Sequence, residues 1–295
     1  MENKGTETYT GQEVNKGQLE GQGSSKKWSL KTEITRGVDP MKNLVGYCTE
    51  ISVFSDGDII IADNGRSVLV TLNAEGQLHE VKSAKNQSDT GDLTGVTVNK
   101  EDQILILENQ TIKIFSRSGE FIREFTTSLM KTSYAIPTCI TVDDVKGRIA
   151  VGDEVNGVIH LFDPDGAHIV SIIAKMIGDY LTVGSKQNFL YTDFHARKLL
   201  SIDDHGNALF TVNTVDEHNK PIQPCGVCCD SNGDIYISAQ TGAKMDQGEI
   251  HHFDPEGKYK GRVISGLKNP FGIAFTPSGD LVVADGLSVK LFCYM

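Results

Sequence analysis

The sequence predicts an all-β fold, a six-bladed β-propeller of four-stranded blades, and three observations carry that prediction. A unit of short apolar runs separated by Gly- and Asp-containing turns recurs six times between about residue 45 and residue 295. Equivalent turn positions fall at Asp58, Gln103, Arg148, Asn188, Asp234 and Asp280, at spacings of 45, 45, 40, 46 and 46 residues. That is the period of a propeller blade, and the runs lack the helical rhythm that a solenoid of helix pairs would show. The third observation concerns the ends. The sixth unit runs out after its third strand, and residues 28–34 form a strand-like stretch that belongs to no unit. Placing that stretch as the outer strand of the last blade closes the ring and removes two exposed sheet edges.

Taken in order, residues 1–27 hold almost no large apolar side chain, and their four Glu balance four Lys. Such a segment cannot offset its ordering entropy and is expected to be a disordered polar tail or linker. Residues 28–34 alternate Trp28, Leu30 and Ile34 with polar residues, the pattern of a half-buried strand. Unit one pairs Ile51 and Val53 with the run 59–62, ends that run at Asp63, and continues through 68–72 to an Asn73–Gly76 hairpin signal. Unit two places Glu108 where unit one has Asp63. Unit three carries one extra residue in its first turn and ends its second run at Asp153. Unit four is the most eroded, with Tyr180 where a glycine is usual and Asp193 at the acidic place. Unit five has Ala239 there instead, and a longer loop over 241–248. Unit six, Pro270-Phe271-Gly272-Ile273-Ala274 followed by a Ser278-Gly279-Asp280 turn and a run ending at Asp285, is the clearest copy.

Composition narrows the function classes. A net charge of −11 disfavours indiscriminate attraction to nucleic-acid phosphates. The sequence has no apolar run long enough to span a bilayer and no signal-peptide core, so a cytoplasmic protein is expected, with its six cysteines reduced. Cys225-Gly226-Val227-Cys228 has the spacing of half a zinc site. On the repeat, however, Cys228 and Cys229 take the slots of Ala274 and Phe275, so core packing is the expected role.

The acids at the ends of the second runs (Asp63, Glu108, Asp153, Asp193 and Asp285) would ring one face of the torus. A catalytic metal site would draw on a few unlike ligands. An acid repeated in each good unit fits better a structural role, accepting backbone N–H groups of the following turn. The metal reading, with a metal-dependent hydrolase or lyase acting at the channel, is the alternative; no cofactor, metal or catalytic residue is expected otherwise. His160 and His251 share a third-strand slot expected to face the surface. Nucleophile-elbow, phosphate-loop and zinc-protease motifs are lacking.

The pattern Pro-x-Gly-Ile-Ala, turn, Gly-Asp-Leu-Val-Val-Ala-Asp, then a strand closing in aromatic-Asp-x-x-Gly resembles the NHL repeat. Units one, three, five and six match well; units two and four are eroded. No unit ends in the Trp-Asp pair of WD-type propellers. The chain is most similar to the C-terminal NHL domain of tripartite-motif ubiquitin ligases. There the domain follows a RING finger, B-boxes and a coiled coil, and recognises protein or RNA targets. None of those zinc-binding parts is visible in this sequence, so the resemblance implies a target-recognition module rather than ubiquitin transfer by this chain. A protein partner is expected ahead of RNA, with no DNA and no membrane. The expected binding face gathers Asn64, Arg66, Asn109, Glu154, Asn156, Tyr180, Phe194, His195, Arg197 and Phe271, since loops at propeller faces carry recognition.

Overall fold

The computed structural model describes residues 27–35, 47–83, 93–126, 135–242 and 247–295. The expected tail over 1–27 lies outside the described residues except for Lys27, and so do residues 243–246 of the long loop. Strand β1 (Trp28–Thr35) comes first. Blade one is β2–β5 (Cys48–Val53, Ile59–Asp63, Val68–Leu72, Leu78–Ser83), and blade two is β6–β9 (Leu93–Val98, Ile104–Glu108, Thr111–Phe115, Phe121–Phe125). Blade three is β10–β13 (Pro137–Asp143, Arg148–Asp153, Val158–Phe162, His168–Ile173). Blade four is β14–β17 (Tyr180–Val183, Phe189–Asp193, Lys198–Ile202, Ala208–Asn213), and blade five is β18–β21 (Gln223–Cys229, Ile235–Thr241, Gln247–Phe253, Tyr259–Leu267). Blade six holds β22–β24 (Pro270–Phe275, Leu281–Asp285, Ser288–Tyr294). Each blade is a four-stranded antiparallel sheet, and the last has the order β1-β24-β23-β22. The propeller and its closure by the N-terminal strand are therefore as the repeat implied.

The closing strand pairs from Trp28 opposite Tyr294 to Thr35 opposite Ser288. Two anchors hold it. Ile34 is buried against blade one. The Trp28 ring lies 6.2 Å from Tyr236, 6.0 Å from Phe275 and 5.8 Å from Tyr294.

The core is divided among the seams between blades. Ile59 and Ile61 pack with Val282 and Ala284 of blade six, whereas Ile60 and Ala62 pack with Val96 and Ile106 of blade two. The other four seams repeat the arrangement. Successive strand residues point to opposite faces. A second strand wedged between two neighbours is thus apolar at every position, which is why 59–62 and 281–284 read as unbroken hydrophobic runs. Cys228 packs in the seam between blades five and six, and Cys229 lies against the seam between four and five. Burial pushes the Cys229 thiol up to about 12 and the Cys228 thiol well above its usual range, so both are held neutral.

Blades meet most closely at the inner strands. A methyl group on Gly272 would lie 2.8 Å from the Thr49 carbonyl oxygen and 3.0 Å from Glu50 Cα, both backbone atoms of blade one. Gly272→Ala is expected to destabilise by about 1–3 kcal/mol, since overpacking against backbone cannot be relieved by a rotamer change. A urea melt with an unshifted midpoint would contradict that.

Candidate functional site

The repeat aligns one inner-strand slot across all six blades, occupied by Glu50, Gly95, Cys139, Tyr180, Gly226 and Gly272. Five first strands show a register irregularity beside this slot; β14 pairs with β15 without one. Tyr180 projects from blade four and donates its hydroxyl to the Thr49 carbonyl of blade one at 3.2 Å, bridging opposite sides of the ring. Two cavities share Tyr180 as a wall. The inner one, about 250 Å³, is the central channel, lined by the first strands of all six blades. The outer one, about 790 Å³, opens at the mouth on the face bearing the second-strand ends.

The outer cavity unites Glu154, Tyr180, Phe194, His195 and Phe271 of the expected face. Asn64, Arg66, Asn109, Asn156 and Arg197 are exposed on loops that do not line it. Reading the sequence missed Tyr47, Met176, Asp179, Gln240 and Asn269, which do line it. Asp179 had a signal: its repeat slot holds Thr49, Thr94, Thr138, Cys225 or Phe271 elsewhere, never a charge. Met176 lies in the connection between blades three and four, and Tyr47, Gln240 and Asn269 become neighbours only when blades five, six and one come together. There Gln240 donates to Asn269 Oδ1 at 2.5 Å, Asn269 donates to the Tyr47 hydroxyl at 3.1 Å, and the Tyr47 and Phe271 rings meet edge-on at 5.4 Å. On the blade-four side Phe194 and His195 meet edge-on at 5.5 Å.

The ring of acids resolves into blade-internal pairs. Asp63 accepts from the Arg66 backbone N–H at 3.2 Å and from Arg66 Nε at 2.7 Å. Glu108 pairs with Lys113 of the same blade. Asp153 accepts the backbone N–H groups of Ile136 and Asn156, both at 3.2 Å, and the Asn156 amide at 2.7 Å, with His160 Nε2 at 3.6 Å. Asp285 accepts the N–H groups of Lys268 and Asn269 at 2.8 and 2.7 Å and pairs with Lys290. These contacts are those of a structural acid that ties the start of the first strand, the following turn and the third strand together. Among the described residues no group of three or more His, Cys, Asp or Glu side chains could hold a metal ion.

The same geometry corrects the histidine slot. His160 is 5% exposed and His251 0%, not surface-facing. The slot sits opposite the middle of the second strand and is flanked by the outer strand; it holds the counter-charge in blades two and six and an imidazole beside Asp153 in blade three. Burial lowers both histidines' pKa values, partly offset by Asp153 and Glu249 respectively.

Blade four is different. Its third-strand slot is Leu200, and Asp193 accepts one backbone N–H, from Ala196, at 2.6 Å. Asp179 and Glu154 add two further carboxylates to the cavity. Desolvation in the concavity raises the pKa of Asp179; His195 opposes the rise and Asp193 adds to it. Desolvation also raises Glu154, reinforced by Asp179 and opposed by His195. Both side chains remain reachable by the solvent that fills the cavity, since their residues are exposed at its wall.

No protein-family model matches the chain. It is 23% identical over 274 residues to human E3 ubiquitin-protein ligase TRIM32, covering 82% of this chain and 41% of the ligase. The chain therefore spans about two-fifths of that relative's length. It is 34% identical over 89 residues to mouse NHL-repeat-containing protein 4, covering 30% of this chain and 61% of that protein. Among solved structures it is similar to a streptogramin B lyase (TM-score 0.65, 12% identity, 91% of this chain and 98% of that one). It is likewise similar to a putative gluconolactonase (TM-score 0.66, 15% identity, 92% and 93%). At such identities the two structures speak to the fold alone. In its repeats, its blade count and its curated relatives, the chain resembles the NHL-repeat propellers of tripartite-motif ligases.

Proposed function

We propose that this propeller is a non-catalytic recognition module that docks a protein at the channel mouth, and that it selects targets in a ubiquitin-ligase system. The observation that carries the reading is the cavity of about 790 Å³, built from the face loops of an NHL-type propeller and walled by Tyr47, Phe194 and Phe271. Aromatic side chains flanking polar groups are the usual anchors of protein interfaces. The acids of the cavity support a protein partner over RNA, whose phosphates they would repel. The metal-dependent alternative finds no support in the acids it would use, four of which are tied to partners in their own blades.

Capture from native lysate with the full chain, with and without nuclease, tests the reading. A nuclease-resistant set of proteins should be retained and should be lost from Phe194→Ala/Phe271→Ala, whose folding is checked by thermal melt. Capture abolished by nuclease, or indifferent to the double variant, would overturn it.

A further inference from the structure

Five blades carry an acid at the end of the second strand, blade five having Ala239 there, and four of those acids are matched by a base or amide of their own blade; blade four is the exception. Arg66, Lys113, His160 with Asn156, and Lys290 supply those partners. Blade four has Leu200 in place of the cation and adds Asp179 immediately before its first strand. Among the described residues no hydrogen bond or salt bridge reaches the carboxylate of Asp179 or Glu154, and no Lys or Arg lines the cavity. The base whose field reaches them is His195, itself exposed. Three carboxylates on three separate segments therefore line, short of positive charge, one space large enough for a side chain. The same space is faced by the rings of Tyr47, Phe194 and Phe271.

We infer that this cavity is the receptor for a basic side chain of a protein partner, arginine in preference to lysine, held between the carboxylates of Glu154, Asp179 and Asp193 and the aromatic rings at the rim. The inference rests on the protein-docking function above and specifies its chemistry. A guanidinium fits because its planar fork can bond carboxylates from several directions while its face stacks on an aromatic ring. The missing in-blade side-chain partner of blade four, a cation in blades one, two and six and Asn156 with His160 in blade three, is what distinguishes this place from the rest of the acidic ring. Elsewhere the blade partners its own acid; here the docked protein does.

A display selection of random peptides on the full chain tests the inference. Selected peptides should share a basic residue, and replacing it by Gln should weaken binding about tenfold or more, the equivalent of about 1.4 kcal/mol. The same replacement should have little effect on binding to Asp179→Asn/Asp193→Asn, a double variant that keeps the Ala196 contact and the fold. Replacing the basic arginine by lysine should weaken binding less than Gln does. Affinity should also fall on acidification. Carboxylates held above their ordinary pKa take up protons sooner as pH drops, so the loss should begin above the pH at which an ordinary Asp titrates. Peptides that bind the Phe194/Phe271 face but share no basic residue, or whose basic residue is indifferent to the Asp variants, would overturn this inference and leave protein docking standing. A selection yielding no peptide that depends on Phe194 or Phe271 would overturn both.

Discussion

A chain lacking β1 should lose its cooperative unfolding transition, because that strand is the piece that makes the propeller a closed ring. Without it β24 becomes an outer strand with a row of unpaired backbone groups, a template for pairing with other chains. The apolar losses add to this. Ile34 leaves the seam between blades six and one, and burial of such a side chain is worth about 1.5–3 kcal/mol. The half-buried Trp28 leaves the cluster of Tyr236, Phe275 and Tyr294, at a cost below the roughly 3–5 kcal/mol of deleting a fully buried Trp side chain. Together these approach the whole net stability of a typical domain, about 5–15 kcal/mol. The expected result for residues 36–295 is a broad, low-midpoint melt and high-mass species on gel filtration. A sharp two-state transition with a midpoint like that of the intact chain would show that closure by β1 is dispensable.

The second large effect is expected at Asp285. It is 1% exposed, pairs with Lys290, itself 7% exposed, and accepts two backbone N–H groups from the approach to blade six. Asp285→Ala strips the buried Lys290 ammonium of its close partner, leaving it Glu33 at 3.6 Å, and leaves those N–H groups unsatisfied. Breaking one side of a buried pair costs about 3–5 kcal/mol. Asp193→Asn, at the equivalent place in blade four, should cost under about 1 kcal/mol, since no buried cation depends on it and the amide oxygen still accepts from Ala196. Denaturant melts of the two variants measure the contrast directly. Equal losses would mean that the acids have one role in all blades and that blade four is not a special place. Asp285→Ala/Lys290→Met should recover much of the first loss, because removing both charges leaves only the backbone donors unpaired.

Much of the architecture could be read locally. A strand records its burial in the alternation of its side chains, and a turn records its geometry in Gly, Asp and Asn. The six units, their turns and the orphan strand at 28–34 were therefore all visible before any tertiary contact was known. The structural work of Asp63, Asp153 and Asp285 was visible for the same reason, since their backbone partners include the adjoining turn or the start of the same blade. Where the reading failed, the determinant was a neighbour remote in sequence. His160 and His251 look like outward residues of a third strand, yet both are buried beside the outer strand that pairs with theirs. Asn64, Arg66 and Asn109 share a face with the cavity but sit on blades one and two, outside its walls.

The site itself was partly legible, because Tyr180 and Phe194 both depart from the repeat within blade four. Tyr47, Gln240 and Asn269 carried no comparable mark; their role follows from closure of the ring, which brings blades five, six and one to one rim. The sequence by itself determined the repeat, the blade count and the strand that closes the circle, because each is written in residues close together along the chain. Only the tertiary structure decided which acids are neutralised at home and which are left facing an open cavity, because a carboxylate's charge balance is set by whatever surrounds it in space.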